Sequence, residues 1–235
     1  MKFSTRSIVS TLALLAIAGS ASLATLSYAG PPEAPAPAPT KMDKPVKGGD
    51  KDKAAPGGAA VGTVAPAFAL KDVDGKDVKL DDFKGKVVVI EWFNPGCPYI
   101  VYHHGKKTTF NDLHKEYKDK GVVFLAINSS AKGMEGNGVE LNKKMRDEWK
   151  IAYPILIDED GKTGRAYQAK TTPHMFVIGK DGKVAYNGAI DNDSKMEKSS
   201  GATNHVKAAL DEILADKPVT TSSTKPYGCG VKYAK

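Results

Sequence analysis

The chain has 235 residues, 41% hydrophobic and 26% charged, which is room for one well-packed domain with appendages and short for two. Two cysteines exclude a disulfide-dense scaffold and a four-cysteine zinc site. The formal charge of +7 is a diffuse lysine excess with Arg6, Arg146 and Arg165 as the arginines, a solubility signature rather than the clustered stripe of a nucleic-acid binder.

Lys2 and Arg6 precede an apolar run over residues 8–18, and small residues then lead to Ser27-Tyr28-Ala29. This is the pattern of a secretory signal peptide over residues 1–29, with cleavage expected after Ala29 and an apolar run too short for a comfortable membrane span. The folded part is therefore expected outside the cytoplasm, periplasmic or secreted, where disulfides persist. Residues 30–60 hold seven of the fourteen prolines and no aromatic residue, and read as an extended, disordered Pro/Ala/Lys-rich linker. The folded domain is expected over residues 61–217, followed by a tail over 218–235.

Within the domain, Asp74-Gly75 between two alternating stretches predicts a hairpin. Residues 87–93 form an apolar run interrupted by Glu91, as expected of a strand buried on both faces, and residues 122–128 and 154–158 repeat the pattern. Residues 175–178 and 184–187 flank Lys180-Asp-Gly-Lys183 as a second hairpin. Helical spacing relates Phe110, Leu113 and Tyr117, then Leu141, Met145 and Trp149, then Val206, Leu210, Ile213 and Leu214. This order predicts an α/β domain: a central mixed β-sheet flanked by helices, with an N-terminal β-hairpin.

Cys97 follows the strand over 87–93 and the turn Asn94-Pro95-Gly96, and Pro98 suits the first turn of a helix. A thiol there faces unpaired backbone N–H groups and the positive end of the helix dipole, the setting of a reactive thiolate rather than of a structural cysteine. Cys229 lies in the tail between Gly228 and Gly230, on backbone expected to be mobile. In an oxidising compartment two cysteines invite pairing, so a Cys97–Cys229 disulfide is expected, within one chain or between two.

Three segments carry a family resemblance: Gly62-x-x-Ala65-Pro66-x-Phe68-x-Leu70, Trp92-Phe93 ahead of Cys97-Pro98, and Thr171-Thr172-Pro173 ahead of Met175. Together they resemble the thioredoxin-fold superfamily in its peroxiredoxin-like branch, from about residue 61 to 217. The resemblance implies a thioredoxin-like fold and a cis peptide at Pro173, after Thr172, beside the reactive sulfur. It implies a buried acid at Glu91, six residues before Cys97, that handles protons, and a resolving role for Cys229. The chemistry implied is thiol-dependent oxidoreduction of a disulfide or peroxide, with antioxidant activity, electrons from a partner dithiol protein and no cofactor. Two features depart from the pattern. Ile100 stands where thioredoxins carry a second cysteine, and Ile90 and Asn94 stand where peroxiredoxins carry proline and threonine.

Two other readings stay open: a copper carrier using Cys97 with His174 or a neighbouring histidine, and a non-catalytic domain in which the disulfide is a staple. His103 and His104 are consecutive on the expected helix, about 100° apart, so both do not readily join Cys97 on one metal. Arg165 is a candidate charge partner of the site.

Overall fold

The computed structural model describes residues 58–198 and 201–235. The expected signal peptide and the expected linker up to residue 57 lie outside the described residues. The last linker residues do not read as linker in the structure: Ala59 is buried, and its carbonyl accepts a bond from Asn187 Nδ2 at 3.0 Å.

Asp72 closes the first hairpin. Its Oδ1 accepts the N–H groups of Asp74 and Lys76, both at 2.9 Å, and β1 (Ala69–Asp72) pairs antiparallel with β2 (Asp77–Lys79). The next strand, β3 (Val87–Trp92), is buried at every position, as its apolar run demands. After it come α1 (Pro98–Ile100), a π-helical turn (Val101–Lys106), α2 (Thr109–Tyr117) and β4 (Val122–Asn128). Then follow α3 (Val139–Glu148), β5 (Ile155–Ile157), α4 (Lys162–Tyr167), β6 (Thr171–Thr172), β7 (Met175–Ile178), β8 (Val184–Gly188), α5 (His205–Leu214) and β9 (Cys229–Gly230).

Seven strands form one mixed sheet in the order β2-β1-β5-β4-β3-β7-β8. The pairs β3–β4 and β4–β5 are parallel, whereas β1–β5, β3–β7 and β7–β8 are antiparallel. Strand alternation divides β3 between two cores. Val87, Val89 and Phe93 join Phe110, Leu113 and Tyr117 of α2 and Val206 and Leu210 of α5. Val88, Ile90 and Trp92 join Phe68, Tyr167 of α4 and Phe176 on the other face.

Three departures from the sequence reading stand out. Leu141 is 40% exposed, and Asn142 beside it is buried, its Oδ1 accepting from Asn128 Nδ2 at 2.8 Å. Helix α4, six residues long, is too short to carry a periodic signal. The tail is docked rather than free: β9 pairs antiparallel with β6, placing Cys229 opposite Thr172 and Gly230 opposite Thr171.

Candidate active site

The turn between β3 and α1 is built by one side chain. Asn94 Oδ1 accepts the Gly96 N–H at 2.8 Å, while Nδ2 donates to the Glu135 carbonyl at 3.0 Å. The 129–138 loop approaches so closely that a Cβ at Gly136 would lie 2.0 Å from Asn94 Oδ1. Cys97 caps the helical segment that follows, with Pro98 at its first position, and the sulfur sits fully buried at the positive end of the backbone dipoles.

The Cys97 thiol donates to the Thr172 carbonyl at 2.9 Å, and the Thr172–Pro173 peptide is cis. Cys229 is the strand partner of Thr172 in the β6–β9 pairing. The two cysteines are free thiols whose side chains act on each other electrostatically. Burial pushes the Cys229 thiol up to about 12, and the neighbouring Cys97 acts in the same direction. Of the two, Cys229 is the partly exposed one. The residues expected from the sequence, Cys97, Thr172, Pro173 and Cys229, thus meet at one place.

Glu91 lies on the Cys97 side of the sheet, 2% exposed, since it shares strand parity with Val89 and Phe93. Its carboxylate accepts from His104 Nε2 at 3.0 and 3.2 Å and from the Tyr153 hydroxyl at 3.1 Å. The His104 ring is stacked on Phe110 at 4.6 Å and on Trp149 at 5.7 Å, and its Nδ1 is buried without a partner, which makes Nε2 the N–H that donates. Tyr153 is held strongly protonated by burial and by the adjacent Glu91.

Both histidines point inward because the chain widens into a π turn, in which the Lys107 N–H bonds to the Tyr102 carbonyl five residues back at 2.8 Å. His103, also buried, accepts from Thr109 Oγ1 at Nδ1 (3.2 Å) and meets the Tyr227 hydroxyl at Nε2 (3.0 Å). That hydroxyl donates to Asp191 Oδ1 at 2.5 Å. Burial lowers His103 to about 4, so the ring is neutral. One turn thereby touches the buried acid with His104 and the tail with His103. Neither contact, nor Tyr153, Asp191 or Tyr227, was anticipated from the sequence.

Two expected neighbours are elsewhere. His174 lies tilted against Phe176, ring centroids 4.5 Å apart, on the core of the opposite face; its Nδ1 accepts the Lys170 N–H at 3.2 Å and its Nε2 donates to Asn187 Oδ1 at 2.7 Å. Both nitrogens are therefore taken, and the copper arrangement of His174 with Cys97 does not fit. Arg165 lies over the Tyr233 ring at 4.7 Å and donates to the Ala234 carbonyl at 2.8 Å, gripping the end of the tail rather than the thiol.

Comparison with known proteins agrees with this architecture. The chain is 30% identical over 131 residues to the thiol-disulfide oxidoreductase ResA of Bacillus thuringiensis, a match covering 53% of this chain and 66% of that relative, just under two thirds of its length. A crystal structure of an uncharacterized conserved protein from Geobacillus kaustophilus superposes with TM-score 0.68 at 32% identity, over 76% of this chain and 94% of the other. That of a putative thiol:disulfide interchange protein DsbE from Chlorobium tepidum does so with TM-score 0.53 at 25% identity, over 66% and 98%. The family model described as Redoxin matches residues 60–205, more than half of the chain. With its thioredoxin-like fold, the chain belongs to the redoxin family.

Proposed function

We propose that this protein is an extracytoplasmic thiol–disulfide oxidoreductase whose redox pair is Cys97 and Cys229. The observation that carries the reading is that both cysteines meet at Thr172, Cys97 through the bond of its thiol to the carbonyl and Cys229 through the strand pairing of the tail, with the two side chains acting on each other. The similarity to proteins named thiol-disulfide oxidoreductase and thiol:disulfide interchange protein supports the same chemistry.

In this reading Cys97, as thiolate, attacks a disulfide, forming a mixed disulfide and releasing one substrate thiol. Cys229, giving up its proton, attacks the Cys97 sulfur and releases the second thiol, leaving a Cys97–Cys229 disulfide. Two electrons pass to the substrate, and a partner dithiol protein restores the pair. Glu91 takes up the thiol proton by way of a water, because its carboxylate is engaged by His104 and Tyr153 rather than by the sulfur. Thr172 and Pro173 position the two sulfurs. A disulfide is favoured over a peroxide as substrate because Arg165 is turned to the tail end and Ile90 and Asn94 stand in place of the usual peroxide-activating residues.

A periplasmic or secreted location follows from the signal-peptide pattern of residues 1–29. Among the described residues no helix is long and apolar enough to cross a membrane. The test is reduction of a protein disulfide with dithiothreitol as electron source. Catalysis by the parent chain that disappears in Cys97→Ser supports the proposal, and equal rates in the two overturn it.

A further inference from the structure

We propose that in the oxidised protein the reducing partner's thiol attacks Cys229, with Cys97 as the leaving sulfur, so that electrons enter through the tail cysteine. This rests on the Cys97–Cys229 pair of the preceding reading and assigns which of its two sulfurs meets the outside.

Cys97 is 0% exposed, covered by the Thr172–Pro173 loop and by the tail, whereas Cys229 is partly open to solvent and Gly230 beside it is exposed. The cover is fastened on both sides of Cys229. Before it, Gly228 lies so flat against the loop that a Cβ would be 2.2 Å from the Thr172 carbonyl oxygen, and Tyr227 is latched to Asp191 and His103. After it, the Val231 N–H donates to the Lys170 carbonyl at 3.2 Å, the Ala131 N–H donates to the Lys232 carbonyl at 2.8 Å, and the Tyr233 hydroxyl donates to the Ala169 carbonyl at 3.0 Å. In the reduced protein these bonds are the tail's attachment, and their opening admits a substrate disulfide to Cys97. A disulfide adds a covalent tether at the centre of the strap and holds the cover shut.

Leaving-group chemistry points the same way. Attack on Cys97 would expel Cys229, whose thiol is pushed up to about 12 by burial and which is therefore a poor leaving group. Attack on Cys229 expels Cys97 at the helix N-terminus, where the backbone dipoles favour negative charge. The partner's thiolate forms an S–S bond to Cys229 as the Cys97–Cys229 bond breaks, and Cys97 leaves as thiolate and takes up a proton. The partner's second thiol, losing its proton, attacks its own chain's sulfur in the mixed disulfide and releases Cys229. The partner dithiol ends as a disulfide, two electrons poorer.

The experiment uses the full mature chain, oxidised until intact mass and peptide mapping give the Cys97–Cys229 bond, and glutathione in excess as the probe. Samples are quenched with acid within the first turnover and the mixed disulfide is located by peptide mapping. The expected result is at least tenfold more glutathione on Cys229 than on Cys97, and equal or greater labelling of Cys97 overturns the inference. In Tyr227→Phe, which loosens the latch, the fraction on Cys97 rises; an unchanged fraction counts against the covering role of the tail. Failure of the oxidised chain to form the 97–229 bond at all is a separate outcome that removes the underlying pair.

Discussion

Cys229 lies directly opposite Thr172 in the small β6–β9 sheet, so the second thiol of the chain is delivered by strand pairing rather than by a neighbouring turn of helix. Thr172 thus meets both cysteines, Cys97 at its carbonyl and Cys229 as its strand partner. A local Cys-x-x-Cys pair would need a cysteine at position 100, where this chain has a fully buried isoleucine. In the proposed function, pairing of Cys97 with Cys229 across more than one hundred residues takes its place.

The first prediction concerns stability. In the chain-entropy description, closing a loop of more than 100 residues stabilises by roughly 5 kcal/mol. The oxidised protein should therefore unfold at clearly higher denaturant concentration than the reduced one. Urea titrations with and without dithiothreitol measure this, and Cys229→Ser should remove the difference.

The tail should detach cooperatively. Tyr227→Phe removes a hydroxyl bonded to Asp191 and His103, a charge-assisted contact of about 1.5–3 kcal/mol. Gly228→Ala puts a Cβ against the Thr172 carbonyl at a φ of +132°, which is both crowded and strained. In the reduced protein both variants should speed amide exchange at Val231 and Thr224 by tenfold or more. Unchanged exchange would mean that the latch does not hold the tail.

The buried acid should be costly to unpair. Glu91→Leu leaves the His104 N–H and the Tyr153 hydroxyl without their common acceptor and should destabilise by about 2–4 kcal/mol. Glu91→Gln, which keeps an acceptor oxygen, should lose less stability while slowing disulfide exchange if the carboxylate handles the proton. Denaturation midpoints and exchange rates of the two variants separate the roles.

Two neutral histidines give a pH dependence of known sign. Burial lowers His103 and His174 from 6.5 to about 4, so between those values the unfolded chain binds protons that the folded chain does not. Their contribution is complete above about pH 6.5 and falls as the pH drops toward 4, by about 3 kcal/mol for each at most. Imidazole resonances of both residues should not titrate above pH 5 in the folded protein. Titration of either near 6.5 would contradict the burial argument.

Much of the fold was legible because its signals are periodic. The two-faced burial of β3, the hairpins at Asp74-Gly75 and Lys180-Asp-Gly-Lys183, and the apolar faces of α2 and α5 follow from spacing alone. Cys97, Thr172 and Pro173 could be placed by motif. The docked tail could not, because backbone bonds and the isolated hydroxyls of Tyr227 and Tyr233 hold it, and neither leaves a period in the sequence. The π turn was equally hidden: its five-residue bond and the approach of Trp149 to Gly105, 3.1 Å from a built Cβ, are tertiary facts. His174 was readable in principle. Two residues before Phe176 in an extended segment, it belongs on the Phe176 face, away from Cys97.

The most direct test of the account is the redox state of the two sulfurs in the mature chain. Intact mass and peptide mapping would follow the protein after dithiothreitol, after removal of the reductant, and after addition of an oxidised dithiol. The account predicts a single intramolecular Cys97–Cys229 bond that forms on oxidation and is reversed by dithiol. Two thiols that remain free under oxidant, or a bond that no dithiol reduces, would contradict it.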